Sequence, residues 1–263
     1  RHLLWLSTRG KLPERYAARI LDHFGTPDRA YHADQAAYDA ITGLPEPTRQ
    51  ALLNKDLTEV DWILQTCQEL GIRILTIQDA EYPERLRQIQ NPPCVLYVKG
   101  QLPALDEEVA IAVVGARDAS PYGIMAAQKL GLDLARQGAL VISGSARGID
   151  SAALKGALMG GGRVISVLGN GIDVIYPAGS RDLYDDVAVR GALISEYPPG
   201  TEPRGTNFPP RNRILAGLSL GVVVVEGTET SGSLITARLA LEEDRDVFAV
   251  PGAINSALSK GPN

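Results

Sequence analysis

The sequence predicts an α/β fold: a doubly wound, mostly parallel sheet of Rossmann-like type, preceded by a small helical unit. Three observations carry this expectation. From Ile72 onward short apolar runs recur, most of them continuous and not alternating, which marks parallel strands covered on both faces. Helical patterns fall between those runs, as a βαβ succession requires. Residues 1–70, in contrast, carry only helical spacing. A chain of 263 residues is long enough for one large α/β domain and one accessory domain. The expected division is therefore a helical domain over 1–70 and a sheet domain over 71–263.

In the first part, apolar spacing predicts a helix over Leu12–Phe24 that stops at Gly25, and another over Glu46–Asn54 after Pro45. A third is expected over Thr58–Leu70, with Thr58 as N-cap, Asp61 three residues later and Gly71 as the stop. Turns at Gly25 and at Gly43-Leu44-Pro45 are compatible with a helix-hairpin binder of DNA backbone; a scaffolding or protein-contact bundle is the plainer reading. In the second part the expected strands are Ile72–Ile77, Val95–Val98, Val109–Val114, Ala139–Ile142, Val164–Leu168, Ala192–Ser195, Val222–Val225 and Val247–Val250. Helices are expected over Tyr122–Arg136, Ile149–Met159 and Gly232–Glu243. There is no internal repeat and no low-complexity tract.

Composition narrows the function classes. Hydrophobic residues make up 44% of the chain, ordinary for a globular protein. No apolar run reaches the roughly 18 residues needed to cross a membrane, and no charged-then-apolar leader opens the chain, so no membrane association and a cytoplasmic location are expected. Cys67 and Cys94 lack C-x-x-C spacing, which indicates neither a disulfide framework nor a zinc site. A formal net charge of −5 excludes a blanket polyanion binder and requires any nucleic-acid site to be a local basic pocket. The start at Arg1 and the stop at Asn263 without a closing element lead us to expect a longer natural protein.

Four strand ends share one design: Val114-Gly115-Ala116-Arg117, Ile142-Ser143-Gly144, Leu168-Gly169-Asn170-Gly171, and Val225-Glu226-Gly227-Thr228 leading to Ser231-Gly232-Ser233. In a parallel sheet these carboxyl ends line one rim, so small residues and backbone N–H groups converge on one crevice. Helices starting near Gly148 and Ser233 add positive N-terminal ends. Glycine needed only to turn the chain would explain any one loop. Four such loops with Arg117, Arg147, Arg211 and Arg213 among them point to phosphate binding, with Arg211-Asn212-Arg213 just before a buried valine strand.

Common nucleotide fingerprints are missing, which speaks against ATP hydrolysis and ordinary NAD use: there is no G-x-x-x-x-G-K-[ST], and no G-x-G-x-x-G begins at Gly115, Gly144 or Gly169. His2, His23 and His32 all precede the sheet domain, so no Ser-His-Asp set or histidine zinc site can form within it. Asp150 is expected in a first helical turn, where negative charge is favoured, and Glu226 as partner of a rim arginine. No catalytic residue, cofactor or metal is expected. Phe208, in a Pro-bounded loop, is a candidate stacking ring for a base, with core packing as the alternative.

These residues resemble the DNA-processing protein A family (DprA or Smf). The resemblance covers nearly the whole chain through Val113–Arg117 with Ser120–Gly123, Ser143-Gly144 with Ala146–Asp150, Ser195–Pro198, Phe208–Ile214, Ser231–Ala237 and Val250–Gly252. It implies an extended Rossmann fold, a sterile-alpha-motif-like helical part, and homodimers that bind single-stranded DNA in phosphate pockets with a stacking aromatic. It further implies protection of incoming DNA during natural transformation and loading of RecA. Arg117, Ser143, Gly144, Arg147, Gly148, Gly169, Asn170, Ser231, Gly232 and Ser233 would hold phosphates, Arg211, Asn212 and Arg213 would carry the charged patch, and Phe208 would stack. Ser145 departs from a usual Leu, Leu154 from a common His, and Pro262 from a small residue. The sequence stops where that family continues into a last helix and often a winged-helix-like domain. An enzyme is the rival reading, a nucleoside-monophosphate phosphoribohydrolase, because Glu226-Gly227-Thr228-Glu229 faintly resembles its acidic Gly-rich signature without the preceding Gly pair.

Overall fold

A computed structural model describes residues 1–9 and 14–263. Its first part is helical: α1 (His2–Thr8), α2 (Glu14–Phe24), α3 (Pro27–His32), α4 (Gln35–Asp39), α5 (Glu46–Leu53) and α6 (Thr58–Leu70). Positions 12 and 13 of the helix expected over Leu12–Phe24 lie outside the described residues. Gly71 ends α6 in the left-handed region, φ 64°, as its role of C-terminal stop requires. Thr58 is not the N-cap expected of it: Leu57 takes that place without a side-chain bond. Asp56 accepts instead from the Thr58 N–H at 2.9 Å and from its hydroxyl at 2.7 Å.

The strands β1 (Arg73–Thr76), β2 (Val95–Gly100), β3 (Ala110–Val114), β4 (Leu140–Ser143), β5 (Val164–Leu168), β6 (Ala192–Ser195), β7 (Gly221–Val224) and β8 (Asp246–Ala249) form one sheet in the order β1-β2-β6-β5-β4-β3-β7-β8. In that order the strands from β6 to β8 are parallel to one another, whereas β2 runs antiparallel to both of its neighbours, β1 at the edge and β6. The remaining helices are α7 (Glu84–Arg87), α8 (Pro121–Arg136), α9 (Ile149–Met159), α10 (Arg181–Arg190), α11 (Phe208–Leu218) and α12 (Gly232–Glu242).

Alternate residues of each central strand enter different cores, which is why the runs are apolar throughout. Val113, Val141, Val164 and Leu193 pack with α8, α9, α10 and the N-terminal helices. Ala112, Ile142, Ile165 and Ile194 pack with α7, α11 and α12. The N-terminal residues Leu3 to Cys67 thus share a core with one face of the sheet.

Helices α8 and α9 touch through glycine. A Cβ at Gly131 would come within 2.1 Å of the Ala153 carbonyl oxygen, and one at Gly156 within 2.0 Å of the Gln128 oxygen. Only glycine lets the two backbones come this near.

Candidate nucleic-acid interface

The carboxyl ends of β3 and β7 and the N-terminal turns of α9, α11 and α12 enclose a cleft of about 420 Å³. Gly115, Ala116, Arg117 and Asp118 line it from the loop after β3; Phe208, Arg211 and Asn212 line it from α11; Thr228, Ser231, Gly232 and Ser233 line it before and within α12. The loops are tied to one another by backbone bonds, from Ala116 N–H to Glu226 O at 2.8 Å and from Ile149 N–H to Ala116 O at 3.2 Å. Gly148, φ 86°, is obligatory here, since a side chain would strike the Ala116 carbonyl oxygen at 2.3 Å.

Glu226 does not pair with a rim arginine as expected. Its carboxylate accepts from the Ser120 N–H at 2.8 Å and from the Ser120 hydroxyl at 2.5 Å, and Ser120 itself caps α8 through the Gly123 N–H at 3.1 Å. The buried glutamate therefore clamps the end of the loop that presents Arg117.

Phe208 begins helix α11, not a loop, because proline is tolerated in the first turn where N–H groups lack partners. Its ring is half-buried, with the Arg117 guanidinium carbon 4.9 Å and the Arg211 guanidinium carbon 5.8 Å from its centroid. Tyr176 lies 5.7 Å away, tilted by 38°.

The four arginines divide. Arg117 and Arg147 are exposed; Arg147 makes an ion pair with Asp118 at the mouth of the cleft. Arg211 is 4% exposed and donates to the carbonyl oxygens of Gly144, at 3.2 Å, and Val167. Gly144 leaves room for it, since a Cβ there would come within 2.6 Å of both Arg211 Nη2 and Asp150 Oδ2. Burial pushes the Asp150 carboxyl up to about 6, against the opposing pull of the Arg211 guanidinium and the N–H groups of Ala146 and Gly144. Burial likewise lowers Arg211, and Asp150 opposes that shift. Arg213 does not line the cleft: it bonds Glu196 at 2.6 Å, Asn91 O at 2.8 Å and Pro210 O at 3.0 Å.

Of the other expected phosphate ligands, Ser231, Gly232 and Ser233 face the cleft, at the N-terminus of α12, whose first N–H groups have no intrahelical acceptor. Among the described residues the buried Ser233 hydroxyl has no hydrogen-bond partner. Asn212 also lines the cleft and donates to Gly232 O at 3.3 Å. Ser143 and Asn170 are buried with internal partners, Val113 O at 2.6 Å and Val174 O at 2.6 Å. Gly169 sits under the Phe208 ring. Asp118 and Leu258 line the cleft without having been singled out in the sequence, and Thr228 and Thr236, which stood within its motifs without an assigned role, line it too. Asp118 carried a usable signal, an acid beside Arg117 in the loop; Leu258, from a distant segment, carried none. No helix among the described residues is long and apolar enough to cross a membrane.

The family model for DNA recombination-mediator protein A matches residues 73–263. DNA processing protein DprA of Bacillus subtilis (strain 168) is 42% identical over 200 residues, covering 76% of this chain and 67% of that protein. Protein Smf of Synechocystis sp. (strain ATCC 27184 / PCC 6803 / Kazusa) is 36% identical over 256 residues, 95% of this chain and 64% of that protein. The chain thus spans about two thirds of the length of these curated relatives. Among solved structures, DNA processing protein A of Streptococcus pneumoniae superposes with a TM-score of 0.86 at 34% identity, over 99% of this chain and 90% of that one. The Helicobacter pylori protein, described for its single-stranded DNA binding mode, gives 0.65 at 30% identity over 71% of this chain and 83% of that one.

Proposed function

The chain belongs to the DNA recombination-mediator protein A family, and on that premise we propose that it binds single-stranded DNA in the cleft after β3 and β7, shields it, and passes it to RecA. The observation that carries this reading is the meeting of three binding elements in one cleft: the exposed Arg117 guanidinium, the Phe208 ring, and the N-terminus of α12 with the Ser233 hydroxyl. A guanidinium and helix N–H groups suit phosphates, and a planar surface suits an unpaired base. Arg117, Phe208, Ser231, Gly232 and Ser233 are the ligands this geometry favours, with Arg147 at the mouth. Arg211, Asn212, Gly144 and Gly148 support them from behind.

Two cleft carboxylates are engaged within the chain, Asp118 with Arg147 and Asp150 beside Arg211, which favours binding over bond cleavage. The same reading treats 1–70 as an accessory helical domain and 71–263 as the DNA-binding domain. It includes a homodimer, for which the outer edge of β8, with Phe248 52% exposed, offers an apolar face. Gel shifts with single-stranded and duplex DNA, with and without RecA, test the proposal. Tighter binding to the single strand and faster RecA filament growth on it are expected; equal affinity for both forms overturns the cleft assignment. Release of free base from AMP would favour the phosphoribohydrolase instead.

A further inference from the structure

We infer that residues 251–263 form a clasp across the cleft that sets the N-terminus of α12 against the Arg117 loop, and that the Asn263 side chain is its lock. This rests on the DNA-binding reading and adds positioning residues to it. One end of the clasp is tied to the arginine side of the cleft: the Tyr122 hydroxyl, in the first turn of α8, donates to Pro251 O at 2.9 Å. The other end grips the loop after β7. Gly227 N–H donates to Leu258 O at 2.7 Å, and Gly261 N–H donates to Gly227 O at 2.9 Å. Leu258 itself lines the cleft.

Gly227 is the point through which this grip reaches the phosphate site. A Cβ there would meet Ser233 Oγ at 2.9 Å and Ser231 Cβ at 3.1 Å, so its backbone is packed directly against the start of α12. The next residue, Thr228, donates its N–H to Ser231 Oγ at 2.8 Å and accepts the Ser231 N–H at 3.1 Å. A shift of Gly227 is therefore passed to Ser231, Gly232 and Ser233 through backbone and short side chains alone. The lock works through amide chemistry. Asn263 donates from Nδ2 to Gly252 O at 3.2 Å and accepts from Gly252 N–H at 3.1 Å, which closes the clasp on itself. A side-chain amide offers donor and acceptor side by side, as a peptide unit does; a methyl group offers neither. Ser259, 4% exposed, lies inside the closed segment, and the Asn263 N–H donates to its carbonyl at 2.9 Å. Asn263, Pro251 and Tyr122 are themselves exposed. A segment with so few buried contacts opens at small cost to global stability, and what its opening changes is the placement of α12.

The test measures binding of the full chain to oligo-dT by fluorescence anisotropy across a salt series, beside thermal unfolding. Asn263→Ala should lower affinity about fivefold and flatten the plot of log affinity against log salt by about 0.7, as loss of one phosphate contact at α12 requires. Its unfolding temperature should stay within about 2 °C of wild type. Tyr122→Phe, which keeps the ring and removes one bond, should show the same pattern at smaller size. In a Ser233→Ala background Asn263→Ala should cost less affinity than it does alone, because both changes act on the same helix terminus. Wild-type affinity of Asn263→Ala, or an equal fold-loss in the two backgrounds, overturns the clasp while leaving DNA binding in place. A loss that comes with a much lower unfolding temperature overturns it too, since the segment is then a support of the whole fold. Failure of wild type to bind oligo-dT overturns the DNA-binding reading as well.

Discussion

The mouth of the cleft and the layer behind it use the same residue type in opposite ways. At the mouth, Arg117 and Arg147 are exposed and held by partners that can be exchanged, a ring face and the exposed carboxylate of Asp118. Behind, Arg211 and Arg213 are 4% and 9% exposed and donate to backbone carbonyls or to a nearly buried carboxylate. A guanidinium with its donors satisfied inside the protein shapes the wall; one that rests on a ring or pairs in water remains available to a polyanion. Proximity of an arginine to a crevice therefore says little until its donors are traced.

The widest gap between the two layers should appear in stability. Arg213→Ala removes the partner 2.6 Å from Glu196, a pair whose side chains are only 10% and 14% exposed. It should lower unfolding stability by about 3 kcal/mol in urea titrations. Arg147→Ala at the mouth should change it by less than about 0.5 kcal/mol. Equal losses would erase the distinction.

A second contrast uses pH. The Asp150 carboxyl lies at about 6 in the folded chain, above its ordinary value of 3.8, so the folded state holds the proton more tightly than the unfolded state does. Stability is favoured while the group is protonated, and it falls as pH rises from about 4 through 6. Asp150→Asn carries no such charge. Its stability relative to wild type should therefore rise across that window, by an amount on the order of 2 kcal/mol, in melts at stepped pH. A pH-independent difference between the two proteins would refute the buried ionisation.

The smallest effect sharpens the comparison at the mouth itself. Asp118→Asn removes the acid that pairs with Arg147. It should raise affinity for single strands by up to about fivefold at low salt, with the gain fading as salt increases. Arg147→Ala should weaken binding and flatten the plot of log affinity against log salt by about 0.7 for the lost phosphate contact. A gain with Asp118→Asn that persists at high salt would exclude release of Arg147 as its cause.

The sheet was largely legible because burial on both faces leaves a plain mark: each strand of the structure lies within two residues of the expected bounds at either end. The reversed direction of β2 was not, since a short apolar run reads alike in both directions. Helix α11 was hidden by Phe208-Pro209-Pro210, where two prolines read as loop though they suit a first helical turn. At the site, the gathering of glycine loops on one rim followed from the parallel order, and Arg117, Phe208 and Ser231–Ser233 do line one cleft. The division of the arginines could not be read, because burial of Arg211 depends on the space left by Gly144, two strands away in the sheet from β7.

The glycine contact between α8 and α9 has a kinetic corollary. Arg117 lies in the loop that leads into α8 and Arg147 in the loop that leads into α9, so helices locked backbone to backbone at Gly131 and Gly156 fix the spacing of the two cations. Loops anchored on so close a helix pair would lose little conformational freedom on capturing a ligand. Arrival of a strand would then be governed by electrostatic steering, and lifetime by how quickly each nucleotide lets go. On the proposed function, such a holder would grip a strand quickly and release it one nucleotide at a time.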